Sequence, residues 1–131
     1  MGIPADCRYA KSHEWAKKAG DLLVVGITDF AQHELGDIVF VELPPSGSKF
    51  KKDEAFGVIE SVKAASDLFM PVGGEVVAIN DELVPDPALV NRDPHGAAWL
   101  IKVKPSNPAD FSSMMDATAY GAFIASAAAK H

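Results

Sequence analysis

Apolar residues along this chain come in short bursts that alternate with polar ones, and Gly or Pro closes most of the bursts. That rhythm predicts β-strands over Leu22 to Ile27, Ile38 to Leu43, Ala55 to Val62, Asp67 to Met70, Glu75 to Ile79 and Trp99 to Val103. In Ile38 to Leu43, Val39, Val41 and Leu43 alternate with Ile38, Phe40 and Glu42. In Trp99 to Lys104, Trp99, Ile101 and Val103 alternate with Leu100, Lys102 and Lys104, the pattern of a half-buried strand.

Helical spacing is confined to a few places. In TDFAQHELG, Asp29 and Gln32 are spaced as a capping box and Gly36 stands as a stop, so one or two helical turns are expected. Asp81 to Asn91 contains Pro85 and Pro87, which favours a loop with a helical turn over a long helix. After Lys104-Pro105, Ser106 or Asn107 caps a helix with Pro108 at its first position, and Asp116 starts a second helix ending near Lys130. Tyr120, Phe123, Ile124 and Ala127 share one face of that second helix, which is expected to dock by packing alone.

Length and charge then narrow the function. The 131 residues, 48% hydrophobic and 23% charged, suffice for one compact domain over 1–131 with a helical extension over about 107–130, and are too few for two ordinary domains. A formal net charge of −6, with no basic run, argues against nucleic acid and anionic membrane as partners. No apolar run approaches a membrane span, MGIPADCRYAK lacks a secretory core, and Asp6 stands where myristoylation wants Ser or Thr. A soluble intracellular protein is expected. Cys7 is the one cysteine, so no internal disulfide or dithiol chemistry is open to it, and any redox sulfur must come from a cofactor. Cys7 itself is expected to be inert.

A faint internal echo links PPSGSKF, Pro44 to Phe50, with PVGGEVV, Pro71 to Val77. It suggests two similar strand-turn-strand halves joined through the segment around Lys63, with that lysine near a symmetry axis. If Ala55 to Val62 and Ala65 to Met70 form a hairpin, Lys63 and Ala64 sit in its turn. An amine at such a tip, beside Val62, Ala64 and Ala65, is easily enclosed by a modifying enzyme that removes its proton, which is the logic of a swinging-arm carrier. A solvated turn lysine satisfies the same pattern, and the residues alone do not separate the two.

A wider set of motifs does separate them. YAKSHEW (Tyr9 to Trp15), GITDFAQHELGDIVFVELPPSG (Gly26 to Gly47), FGVIESVKAASDLFMPVGGEVVAIN (Phe56 to Asn80), LVNRDPHGAAWLIKVKPS (Leu89 to Ser106) and the tail AYGAFI occur in order. Together they resemble the H proteins of the glycine cleavage system over nearly the whole chain. The resemblance implies a mainly β fold, a barrel-sandwich hybrid of two antiparallel sheets of the lipoyl/biotinyl type, with short helices and a C-terminal helix. It implies lipoic acid amide-linked to Lys63 of the E-S-V-K-A motif, attached by a lipoate ligase or lipoyltransferase. It further implies a non-catalytic shuttle between three partners. Glycine decarboxylase (P protein, with pyridoxal phosphate) loads an aminomethyl group, and the tetrahydrofolate-dependent aminomethyltransferase (T protein) removes it. Dihydrolipoyl dehydrogenase (L protein, with FAD and NAD) then reoxidises the arm.

In this family the loaded arm folds into a surface cleft, and the matching positions are Ser12, Glu14 and Asp67, with Leu35 as a candidate for the wall. Read without the family, Ser12 is a turn residue, Glu14 a solvated charge and Asp67 a turn cap. With it, Glu14 is the foremost partner for a cationic amine, because a carboxylate gives a charge-assisted hydrogen bond. The chain departs from the family pattern at Glu34, His95, Ala97-Ala98 and Met70, none of them in the E-S-V-K-A core.

Other classes fit less well. Biotin acceptors favour Met on both sides of the lysine, and acyltransferase lipoyl domains favour an acidic residue before it, whereas Val62 and Ala64 flank Lys63. An enzyme built on His13-Glu14 and His33-Glu34 lacks an H-E-x-x-H motif, a phosphate loop and a serine elbow. An H-like protein that relays lipoate to other lipoyl-dependent enzymes stays open. The family is cytoplasmic in bacteria and mitochondrial in eukaryotes. With no Arg- and Ser-rich leader the bacterial cytoplasm is expected and a trimmed form in the mitochondrial matrix is the alternative.

Overall fold

In the computed structural model, which describes residues 2–129, the chain runs as antiparallel strands with helices inserted at the turns. In order these are β1 (Arg8–Tyr9), β2 (Glu14–Ala19), β3 (Leu22–Ile27), α1 (Asp29–Leu35), β4 (Ile38–Glu42) and β5 (Lys49–Phe50). There follow β6 (Ala55–Ser61), β7 (Ala65–Phe69), β8 (Gly74–Ile79), a 3₁₀ turn (Asp81–Leu83), α2 (Leu89–Arg92), β9 (Ile101–Pro105), α3 (Pro108–Ser112) and α4 (Ala117–Ala129). One sheet has the order β1-β2-β3-β9-β8-β5 and the other β4-β6-β7. The core packs between them, with Val25, Ile101, Val103 and Val76 from the larger sheet against Val41, Ile59 and Leu68 from the smaller. This is the two-sheet, mainly β fold that the sequence predicts.

Several details differ from expectation for identifiable reasons. Ile38 and Val41 are buried while Val39 and Phe40 are 52% and 47% exposed, because an irregularity between Ile38 and Phe40 breaks the alternation of β4. The strand expected from Trp99 begins at Ile101, and both Leu100 and Ile101 are buried. The cap of α1 is Thr28, whose hydroxyl accepts from Ala31 N–H at 3.2 Å. Asp29 instead accepts from the Gln32 side chain at 2.7 Å, inside the first turn. Asn107 caps α3 and Asp116 accepts from Ala119 N–H at the start of α4. The expected end near Lys130 and the side chain of Ala127 lie outside the described residues.

The echoed segments pair with each other as antiparallel strands, Lys49 with Glu75 and Phe50 with Gly74.

A second apolar cluster, Cys7, Tyr9, Trp15, Tyr120 and Ile124, lies beneath α4, with Phe30, Trp99 and Phe123 packed around it. Burial there pushes the Cys7 thiol up to about 11, which makes it a packing residue. Gly26 is required at this layer, since a Cβ would lie 2.6 Å from the Trp15 ring. The tail helix therefore rests on the outer side of β2 and β3, directly over the turn that leads into β2.

Candidate functional site

Lys63 sits at the tip of the β6–β7 hairpin. Ser61 N–H donates to Ala64 C=O at 2.7 Å, while the Ser61 hydroxyl accepts from Lys63 and Ala64 N–H at 3.3 and 3.1 Å. A buried serine thus shapes the turn from below, and 62–67 are all exposed. Val62 N–H donates to Asp37 C=O at 3.0 Å, which ties the hairpin to the loop after α1. Among the described residues the Lys63 amine has no ion-pair or hydrogen-bond partner.

Below the lysine lies the C-terminus of α1. Gly36 caps that helix at φ +83° with its N–H on Gln32 C=O, a conformation that favours glycine. A Cβ there would meet Lys63 Cε at 3.5 Å, so the lysine stem runs over the glycine. Asn91 holds this end of the helix, its amide donating to Gly36 C=O and to Gln32 Oε1 at 2.9 Å each, and its Oδ1 accepting from Ile38 N–H at 2.9 Å. Leu35, half-buried beside Gly36, packs on the main core.

Ser12 and Glu14 come together on the far side, at the turn between β1 and β2. The Ser12 hydroxyl donates to Glu14 Oε1, and Phe69 N–H on β7 donates to Glu14 Oε2 at 3.4 Å. Since β7 is an edge strand of the smaller sheet, Glu14 bridges the two sheets by capping an otherwise free N–H. The residue is 2% exposed, and burial pushes its carboxyl up to about 7 against the opposite pull of the two hydrogen bonds. Glu14 is therefore not the solvated charge its composition suggests. Asp67 lies two residues before Phe69 on the same strand, exposed and without a hydrogen bond to Ser12 or Glu14.

Between Ser12 and Glu14, His13 adopts φ +73°, a strained conformation for a non-glycine residue. Its Nδ1 is 2.8 Å from the Tyr120 hydroxyl of α4, and that hydroxyl is 2.7 Å from Thr28 Oγ1. Phe30 and Phe123 flank the imidazole at 4.9 and 5.9 Å between ring centroids. Burial holds His13 below the usual imidazole range, with Glu34 opposing. The neutral ring accepts from Tyr120, which accepts from Thr28, and every member is satisfied. Thus Tyr120 ties the tail helix both to the turn carrying Ser12 and Glu14 and to the cap of the helix beneath Lys63. Packing alone, the role expected for α4, leaves out this polar contact. A helical stripe announced Tyr120 as apolar, but nothing local in sequence marks a hydroxyl whose partners lie 92 and 107 positions away.

The histidine pairs do not converge. His13 faces Tyr120, His33 pairs with Asp29 at 3.7 Å, and among the described residues no group of three or more His, Cys, Asp or Glu is placed to hold a metal ion. His95 accepts from Asp29 N–H at 3.0 Å and stacks on Trp15.

A family model described as Glycine cleavage H-protein matches residues 7–127. The chain is 52% identical over 124 residues to the glycine cleavage system H protein of Anaeromyxobacter sp. (strain K), covering 95% of this chain and 97% of that one. It is 56% identical over 123 residues to the probable glycine cleavage system H protein of Natronomonas pharaonis, covering 94% and 97%. Its fold matches the crystal structure of a glycine cleavage system H protein from Mycobacterium marinum with a TM-score of 0.85 and 39% identity, over 92% of this chain and 97% of that one.

Proposed function

The chain belongs to the glycine cleavage H-protein family, the lipoyl-bearing carrier of glycine cleavage, and from that membership we propose that Lys63 is the residue that forms the lipoyl amide. The observation that carries this reading is an exposed amine without a partner among the described residues, on a turn whose backbone is tied down at Ser61, Ala64 and Asp37. Such a site offers the amine freely while keeping its position fixed. The small and apolar neighbours Val62 and Ala64 provide no carboxylate to compete for it.

Bound there, lipoate supplies a dithiolane that takes up an aminomethyl group and is left as a dithiol once that group has passed on. The residues placed to hold the loaded arm lie along the free edge of β7. From Ala65 to Phe69 the strand β7 rises about 13 Å, comparable with the roughly 14 Å reach of a lysine extended by a lipoyl chain. Asp67 then stands beside the arm, and the Ser12–Glu14 pair lies a little further along, where Glu14 already bonds Phe69 N–H. Leu35, next to the glycine under the lysine stem, borders the start of that path. A cationic amine brought to Glu14 would favour its ionised form against the opposing effect of burial, forming a charge-assisted pair.

In this reading the whole chain acts as one lipoyl-carrier domain that catalyses no step itself. Its partners are glycine decarboxylase, aminomethyltransferase, dihydrolipoyl dehydrogenase and the enzyme that attaches lipoate, in the cytoplasm as for bacterial members. Reconstitution tests it. The lipoylated protein with purified P, T and L proteins supports glycine-dependent NAD reduction, and Lys63→Arg abolishes it; equal rates for the two proteins would overturn the assignment.

A further inference from the structure

The hairpin tip does not stand alone. By the strand register, Phe40 of β4, Glu60 of β6 and Ala65 of β7 form a row across the outer face of the smaller sheet, and Glu42, Val58 and Asp67 form the next. The opposite faces of these strands, at Ile38, Val41, Ile59, Ser61 and Leu68, are buried. Val39, Phe40 and Val62, three of the four large hydrophobic residues exposed among the described residues, gather at the end of this face next to Lys63. Val62 alone is 69% exposed. Glu42 and Glu60 make no ion pair among the described residues. The result is an apolar patch with an acidic margin, open on the side of the hairpin away from α1.

We propose that this outer face, centred on Phe40 with Val39, Val62, Glu42 and Glu60, docks the enzyme that forms the amide on Lys63, through a surface that is apolar at its centre and basic at its rim. The proposal rests on Lys63 being the lipoyl site. Reach decides which partner the face serves. The lysine amine extends only about 6 Å from its Cα, whereas the ring of the finished arm lies about 14 Å away. An enzyme that works on the ring engages it without touching the sheet. One that delivers an activated lipoyl carboxyl to the amine must close around the turn itself. Three tip residues cannot supply the roughly 20 residues a side of an ordinary interface, so the contact spreads onto the nearest open surface. That surface is the outer face, because α1 and Asp37 occupy the other side of the hairpin. Exposed aromatic and aliphatic side chains beside the reacting group supply its affinity, and the unpaired carboxylates steer a basic partner toward it.

The test compares the two ends of the arm. Phe40→Ser, and separately Glu42→Lys with Glu60→Lys, are given lipoate, ATP and a lipoate ligase, and lipoyl transfer is followed by intact mass. Both variants show kcat/KM for transfer reduced at least about tenfold, mainly through KM, and the wild-type rate falls as salt is raised. After exhaustive lipoylation, both are reduced by dihydrolipoyl dehydrogenase and NADH within about twofold of the wild-type rate. Transfer rates equal to wild type overturn the docking face, as do equal losses at both steps. A wild-type protein that takes no lipoate overturns the reading of Lys63 as well, which separates that failure from failure of the face.

Discussion

Two turns of this protein are held for opposite ends. The β6–β7 tip presents a Lys63 amine with no partner among the described residues, while the β1–β2 turn holds a buried Glu14 between a hydroxyl and a strand N–H. At the tip, order resides in the backbone and the side chain is left free. At the other turn, the backbone is strained at His13 and the side chains carry the order. A group that must be reached by other proteins needs the first arrangement. A carboxylate whose pKa is to be raised needs the second, since burial is what opposes its charge.

The sharpest way to break the contrast is to move the amine while keeping its exposure. Lys63→Ala combined with Ala64→Lys places an exposed lysine one residue along, and transfer of lipoate should fall by about 100-fold or more, because a reacting group displaced by a few ångströms loses its alignment. Transfer at the wild-type rate, followed by intact mass, would mean that exposure alone is enough.

At the enclosed turn, Glu14→Gln removes the ionisable group and keeps its shape. Burial raises the folded-state pKa of Glu14 to about 7, above the ordinary glutamate value of 4.5, so its favourable contribution is complete below the unfolded pKa and is lost as pH rises through about 7. Urea unfolding of the variant should match wild type near pH 4 and gain on it by about 3 kcal/mol at pH 8. Tyr120→Phe strips the hydroxyl shared by His13 and Thr28 and should cost roughly 2 kcal/mol in the same experiment. Transfer of lipoate to that variant should stay within about twofold of wild type, since the tip keeps its own backbone ties.

The smallest expected effect joins the two regions. Gly36→Ala forces a side chain into φ +83° beneath the lysine stem, for about 1 kcal/mol of stability, while the 3.5 Å contact with Lys63 Cε is an ordinary one. Thermal unfolding measures the first, and an unchanged rate of lipoate transfer confirms the second.

The two regions also differ in how far they can be read from sequence. The hairpin is legible because each part is local: alternating strands on either side, a short turn, and a lysine among small residues. β1 and β5, two residues each, are too short to show any period. β2 hides for another reason, since Trp15 serves the outer cluster, Ala16 the inner core, and Glu14 is buried as a polar bridge, so no face is uniformly apolar. The exposed Val39 and Phe40 follow from an irregularity in strand pairing that no alternation rule anticipates. Ser12, Glu14, Leu35 and Asp67 entered through the family motifs. Glu14's burial and its bond to Phe69 needed the fold, because the partner lies 55 residues away on another sheet.

The central claim is that Lys63 carries the lipoyl arm, and peptide mass spectrometry of the wild-type protein after incubation with lipoate, ATP and a lipoate ligase tests it most directly. The account predicts a single lipoyl amide on the peptide containing Lys63 and none on any other lysine. A lipoyl group mapped elsewhere, or none on the folded protein, would contradict it.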